Sequence, residues 1–215
     1  MNSLQRTLLC VPLLSFVSLI EGADSVVPYA AANVPQNALD LWRDVDFRKD
    51  ALETKVIKEW NEDGVICRYV TYRVGTFKGA DSRCAAFYTF PAGMKGGPAF
   101  VWAHGGGQRA DRNRGTYFAK QGFASIDYNW GGRELVEGIE PNTEWGKVDP
   151  SQGPRFYPGA LRPHVKLNLL PDEHSIDSVV SPRNGNWYLL AYAGRRAITF
   201  LERQKEVDPE KIGFT

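Results

Sequence analysis

The chain is short of several things that would have declared its class at once. Of 215 residues, three are cysteine, three histidine and two methionine. So few cysteines exclude a disulfide-dense scaffold and a cysteine-rich metal cluster. Charge of either sign is missing in excess: 26 basic residues meet 25 acidic ones, for a formal net charge of +1. With no Lys/Arg-rich run or stripe, the sequence argues against nucleic acid as a partner. Long apolar runs are also absent, apart from one of 13 residues near the N-terminus. That is short of the roughly 20 residues that a membrane-spanning helix needs. What remains is 43 % apolar and 12 % aromatic, with 21 Gly and 13 Pro, the make-up of an ordinary globular domain.

The N-terminus reads as an export signal over residues 1–23. "MNSLQRT" carries one Arg and no acid, "LLCVPLLSFVSLI" is the apolar run, and "EGADS" supplies small residues for cleavage near Gly22 or Ala23. Cys10 lies early in that run, without the small residues of a lipoprotein site. The expectation is a periplasmic or extracellular product with no membrane partner once the signal is removed. Cys67 and Cys84 then remain, in the neighbouring strand-like runs "VICRYVTYRV" and "SRCAAFYTF", with their midpoint in the turn "GTFKGADS". A cross-strand disulfide and two buried thiols both fit, and either role is structural.

Residues 24–50 form a Pro- and Ala-containing leader expected to lie over the surface of the domain at 51–215. "ETKVIKEW" and "GVICRYVTYRV" alternate with period two around the hairpin signal "NEDG", and "RCAAFYTFP" follows as a third strand. An antiparallel meander is expected. "PAFVWAH" then reads as a strand covered on both faces, "RNRGTYFAKQGF" as a helix ended by Gly122, and "ASIDYNW" as the next buried strand. Residues 131–184 are irregular and rich in Pro, Gly and aromatics, a length of loop that usually serves as a lid or binding excursion. In "NWYLLAYAGRRAITFLERQ" the residues Trp187, Leu190, Ala191, Gly194, Ala197, Ile198 and Leu201 make one helical stripe, with Gly194 marking close approach to a sheet. "EVDPEK" reads as a turn and "IGFT" as the start of a further buried strand. The class is therefore α/β, with parallel strands and crossover helices after the meander.

"FVWAHGGGQRADRNRG", from Phe100 to Gly115, carries the chemistry. An apolar strand ends in a histidine and three glycines, and such a tip brings backbone N–H groups close to a ligand. Neither G-x-G-x-x-G nor G-x-x-x-x-G-K-[ST] is present there, which argues against a phosphate loop. The other use of such donors is to stabilise the oxyanion of an acyl-transfer transition state, where losing one costs about 100- to 1000-fold in rate.

"FVWAHGGGQ", "QGFASIDYNWGGRE" and "RNGNWYLLAYAGRRAITFLERQKEVDPEKIGFT" are similar to the α/β-hydrolase superfamily. The nearest branch is that of exported bacterial acetylxylan esterases, dienelactone hydrolases and prolyl-oligopeptidase-like enzymes. The resemblance covers roughly Pro98 to Thr215. It implies an oxyanion site at Gly106, Gly107 and Gln108, with His104 and Gly105 supporting the loop. It also implies that "KIGFT" runs into a G-x-S-x-G nucleophile elbow, with serine, acid and histidine in that order beyond Thr215. No catalytic residue of that triad is expected within the chain, nor any cofactor or metal. Trp145, Arg155, Tyr157 and Arg183 are candidates for a substrate pocket above the strand tips. His164 and His174, near Asp172 and Glu173, match no zinc spacing, and Ser181 before Pro182 reads as a turn or helix cap. The implied substrate is a small-molecule or carbohydrate ester. The alternatives are a peptidase or lactone hydrolase on the same fold, or a non-catalytic fragment or degenerate copy with an open strand edge.

Overall fold

Period-two alternation builds the first half of the sheet. In the computed structural model, which describes residues 34–77, 79–105, 108–146, 181–184 and 186–215, it produces β1 (Lys55–Glu62), β2 (Val65–Phe77) and β3 (Ala80–Pro91). Asp63 and Gly64 join β1 to β2 with φ of 51° and 74°, the left-handed pair that a two-residue hairpin requires. The second ladder runs further than expected. Phe77 pairs with Ala80, so most of "GTFKGADS" is strand rather than turn.

That longer ladder excludes the disulfide. Cys67 lies opposite Thr89 and Cys84 opposite Tyr72, so the two are offset by about 17 Å along the strands. They also face opposite ways, Cys67 packing with Tyr69 and Phe87, and Cys84 with Val70 and Tyr72. Both are buried free thiols. Burial raises the Cys67 thiol to about 11 and the Cys84 thiol to about 12.

The second half is parallel, as the apolar runs imply. β4 (Gly97–Ala103), α2 (Arg112–Ala119), β5 (Ala124–Tyr128), α3 (Asn186–Glu202) and β6 (Val207–Phe214) follow, after a short first helix, α1 (Ala38–Trp42). The strand order is β1-β2-β3-β5-β4-β6. β5 pairs antiparallel with β3, while β4 lies parallel to both β5 and β6. β6 starts earlier than "IGFT": Val207 pairs with Gly97, and the register then jumps to Ile212 opposite Ala99, so the expected turn is an irregularity within the strand. Among the described residues, no helix is long and apolar enough to cross a membrane.

β5 shows how the layers separate. Ser125 and Asp127 point towards α2, whereas Ala124, Ile126 and Tyr128 join the core under α3. Gly194 makes the close approach expected of it, since a Cβ there would meet the Tyr128 hydroxyl at 2.8 Å. The buried arc of α3 is wider than the stripe, however. Tyr188, Leu189, Tyr192, Ala193 and Phe200 are buried as well, while Trp187 is partly exposed.

The leader supplies the second cover. Asn37 caps α1 by accepting from the Asp40 N–H, Trp42 stacks on Tyr188 at 4.8 Å, and Phe47 packs on Tyr192 at 4.9 Å. Arg196, on α3, locks this arrangement. Its guanidinium donates to the carbonyls of Phe47, Asp50, Ala51 and Arg73. Residues 34–50, none of them buried, are thus pinned against the outer side of α3. We expect Arg196→Met, which leaves those carbonyls without their donor, to lower stability by about 3 kcal/mol in denaturant titration. Arg196→Lys should recover only part of the loss, because one ammonium cannot reach all four acceptors.

Candidate active site

The strand order sets the position of the site. β4 lies between β5 and β6; the β4-to-β5 crossover runs through α2 on one face of the sheet, and the β5-to-β6 crossover passes over β4 through α3 on the other. In open α/β sheets a ligand crevice forms outside the carboxyl end of such a strand. The residue found there is His104.

His104 is 2 % exposed and stacks on Trp130, with ring centroids 4.8 Å apart and planes 8° from parallel. The Gly131 N–H donates to its Nε2 at 3.3 Å, so Nδ1 carries the hydrogen and donates to the Gly105 carbonyl at 3.0 Å. The Trp130 indole N–H donates in turn to the His104 carbonyl at 2.6 Å. Burial lowers the imidazole to about 4, so it is neutral at ordinary pH. With both nitrogens committed to the main chain, His104 props the tip and is not placed to shuttle protons.

Gln108 closes the other side of the tip. Its backbone N–H donates to the Gly105 carbonyl at 3.0 Å, and its side-chain oxygen accepts from the Gly105 N–H at 3.0 Å. Gly106 and Gly107, the expected oxyanion donors, lie outside the described residues. Gly131 is glycine for a spatial reason: a Cβ there would come within 3.1 Å of the His104 ring.

Two anchors at the end of β5 lie in a run that the sequence marks only as a buried strand. Asn129, fully buried, donates from Nδ2 to the Arg133 carbonyl at 2.6 Å and to Asn142 Oδ1 at 3.1 Å, and accepts from the Ala110 N–H at 3.5 Å. It therefore ties the loop after β4 to the chain after β5. Asp127 is 2 % exposed and accepts on Oδ2 from the Asp111 N–H at 3.0 Å and from Arg114 at 2.6 Å. Its Oδ1 has no partner, and burial raises the carboxyl to about 7 despite Arg114. The polar residues inside the apolar run "ASIDYNW" were the available signal.

Of the four expected pocket residues, Trp145 and Arg183 lie among the described ones. Trp145 is 1 % exposed, its N–H donating to the Trp130 carbonyl, so it belongs to the core and not to a pocket wall. Arg183 is buried and donates to the carbonyls of Leu41 and Asp40, holding the leader. Ser181 accepts from the Arg183 N–H at 3.3 Å, capping the short 3₁₀ turn at 182–184. Arg155, Tyr157, His164, Asp172, Glu173 and His174 lie outside the described residues. The first part of the expected excursion, 131–146, folds back on the sheet, with Leu135, Val136 and Ile139 against Tyr69 and Phe87 and Ser82 donating to the Trp145 carbonyl. Among the described residues, no group of three or more His, Cys, Asp or Glu could hold a metal ion.

No protein-family profile and no curated protein sequence matches the chain. Solved structures do. An acetyl xylan esterase from Paenibacillus sp. R4 superposes with a TM-score of 0.53 at 17 % identity, over 86 % of this chain and 54 % of that one. Acetyl xylan esterase 1 from Thermoanaerobacterium sp. JW/SL YS485 gives a TM-score of 0.52 at 17 % identity, over 85 % and 50 %. The fold is that of the α/β-hydrolases, and the chain spans about half the length of these two enzymes.

The two buried titrating groups set opposed pH dependences. For His104, the unfolded chain takes up a proton below about 6.5 that the folded one refuses until about 4. The wild type should therefore lose stability relative to His104→Gln as pH falls through that window. For Asp127, the unfolded carboxyl ionises above about 3.8 and the folded one only near 7. The wild type should lose stability relative to Asp127→Asn as pH rises across that interval. Thermal melts of the three proteins at half-unit pH steps check both signs.

Proposed function

We propose that the chain is the N-terminal part of an exported serine hydrolase that cleaves carboxylic esters on carbohydrates. The observation that carries this reading is the β4 tip. His104 fastens it to Trp130 and Gly131, and Gln108 fastens it on its other side. Flanks held in this way suit an oxyanion site, whose donors must not reorganise as charge develops. Gly106 and Gly107 would donate their N–H groups to the substrate carbonyl oxygen, with Gln108 beside them. A further donor would come from the residue after the nucleophile.

The fold supports the rest of the proposal. β6 is the strand after which a G-x-S-x-G elbow follows in this architecture, so the serine is expected directly beyond Thr215, with the acid and histidine later. The serine would attack the ester carbonyl, histidine would take its proton and pass it to the leaving alcohol, and water would release the acyl group. The carbohydrate ester is proposed from the fold likeness to acetyl xylan esterases together with the export signal expected over residues 1–23.

The test is hydrolysis of p-nitrophenyl acetate and acetylated xylooligosaccharides. The 215-residue chain should give no rate above background. Joined to the continuation of its reading frame it should turn over both, and Gly107→Pro, which removes one N–H, should lower kcat about 100-fold or more with KM little changed. Turnover by the 215 residues alone, or an extended protein indifferent to Gly107, overturns the reading.

A further inference from the structure

Beside the tip, on the side of β1, lies a groove of about 940 Å³ that no role above uses. Its walls are the end of β1, the β4–α2 connection from Gln108 to Arg114, and the chain at Arg133–Val136. In a chain of net charge +1 it gathers five cations, Lys58, Arg109, Arg112, Arg114 and Arg133, against one acid, Asp111. Such a concentration of one sign in a concave surface attracts anions.

Lys58, Arg109 and Arg112 are held in ways that leave most of their charge in place. Lys58 Nζ and the Arg112 guanidinium each sit 5.0 Å from the Trp60 ring centroid. An aromatic face positions a cation without neutralising it. Arg112 also reaches Glu62 at 3.6 Å, but that carboxylate is 64 % exposed and the pair is weak. Arg109 donates to a neutral acceptor, the Glu134 carbonyl, at 2.9 Å. Arg114 is the one committed to a carboxylate, that of Asp127. Asp111 turns an oxygen to the Asn113 N–H as the cap of α2.

We propose that this groove is an anion-binding arm of the candidate active site and takes a carboxylate-bearing sugar unit. The lining fits a planar oxyanion with hydroxyl groups beside it. Guanidinium groups and the amides of Gln108 and Asn113 offer planar sets of donors, matched to carboxylates and to ring hydroxyls. The volume lies at the upper end of the range for small-ligand sites and admits more than one sugar unit. Gln108 belongs to both the tip and the groove, so the groove adjoins the described flank of the proposed oxyanion site. The saccharide part rests on the hydrolase reading; the anion part stands on the groove alone.

The experiment is calorimetric binding on the full chain, without turnover. Trigalacturonate is the probe, xylotriose its neutral counterpart, and inorganic phosphate at matched ionic strength the bare anion. Trigalacturonate should bind, weakening at least tenfold between 20 mM and 300 mM NaCl, with xylotriose and phosphate at least tenfold weaker. Lys58→Gln combined with Arg112→Gln should lose at least tenfold in affinity at an unchanged melting temperature, whereas Lys211→Gln, on β6, should lose nothing. Equal binding of xylotriose, equal binding of phosphate, absence of binding, or indifference to the double substitution overturns the proposal. Because no step is catalytic, a protein that binds trigalacturonate and cleaves no ester refutes the hydrolase reading only. One that cleaves acetyl esters without binding it refutes the groove only.

Discussion

The Arg196 guanidinium is the tie on which the other contacts depend. It is buried, and its hydrogen bonds run to main-chain carbonyls of the leader and of β2. A buried cation so placed is costly unless each N–H finds an oxygen, so the segments that supply those oxygens are fixed relative to α3. Once residues 47–51 are held, Phe47 lies on Tyr192 and Trp42 on Tyr188, and the outer side of α3 is covered. With the helix clamped from outside, its inner side is pressed on the sheet closely enough that residue 194 can carry no side chain.

The same logic continues at the carboxyl end of β4. The tip has few side chains to hold it, so its position is borrowed from neighbours. His104 borrows from the start of the 131–146 segment, and that segment is held by Asn129, by Thr143 donating to the Asn129 carbonyl, and by Trp145 in the core. Each link is a hydrogen bond in a water-poor setting, where an unmade partner costs more than a made one contributes. His104, on the described flank of the tip, is therefore held as firmly as the packing behind it.

Local patterns made most of the architecture legible. Alternation marked β1 to β3, continuous apolar runs marked β4 and β5, and the 3.6-residue stripe marked α3. Long-range contacts were invisible to the same patterns. The wide buried arc of α3 exists because the leader covers it, and nothing near Tyr188 or Tyr192 in sequence announces that. The cysteine register depended on three further ladder pairs beyond Arg73 and on a bulge there. At the site, the glycine triplet stood out because unusual backbone needs unusual residues. Its anchors did not, since His104 and Gly131 are 27 positions apart.

The separation of Cys67 and Cys84 has a consequence for the redox chemistry of the folded chain. The two thiols lie on opposite faces of one sheet and neither ionises readily. No covalent cross-link between them contributes to the native energy, and the thiolate needed for exchange is scarce at both. Once folded, the sheet keeps both thiols out of exchange, so an oxidant has no purchase on Cys67 or Cys84.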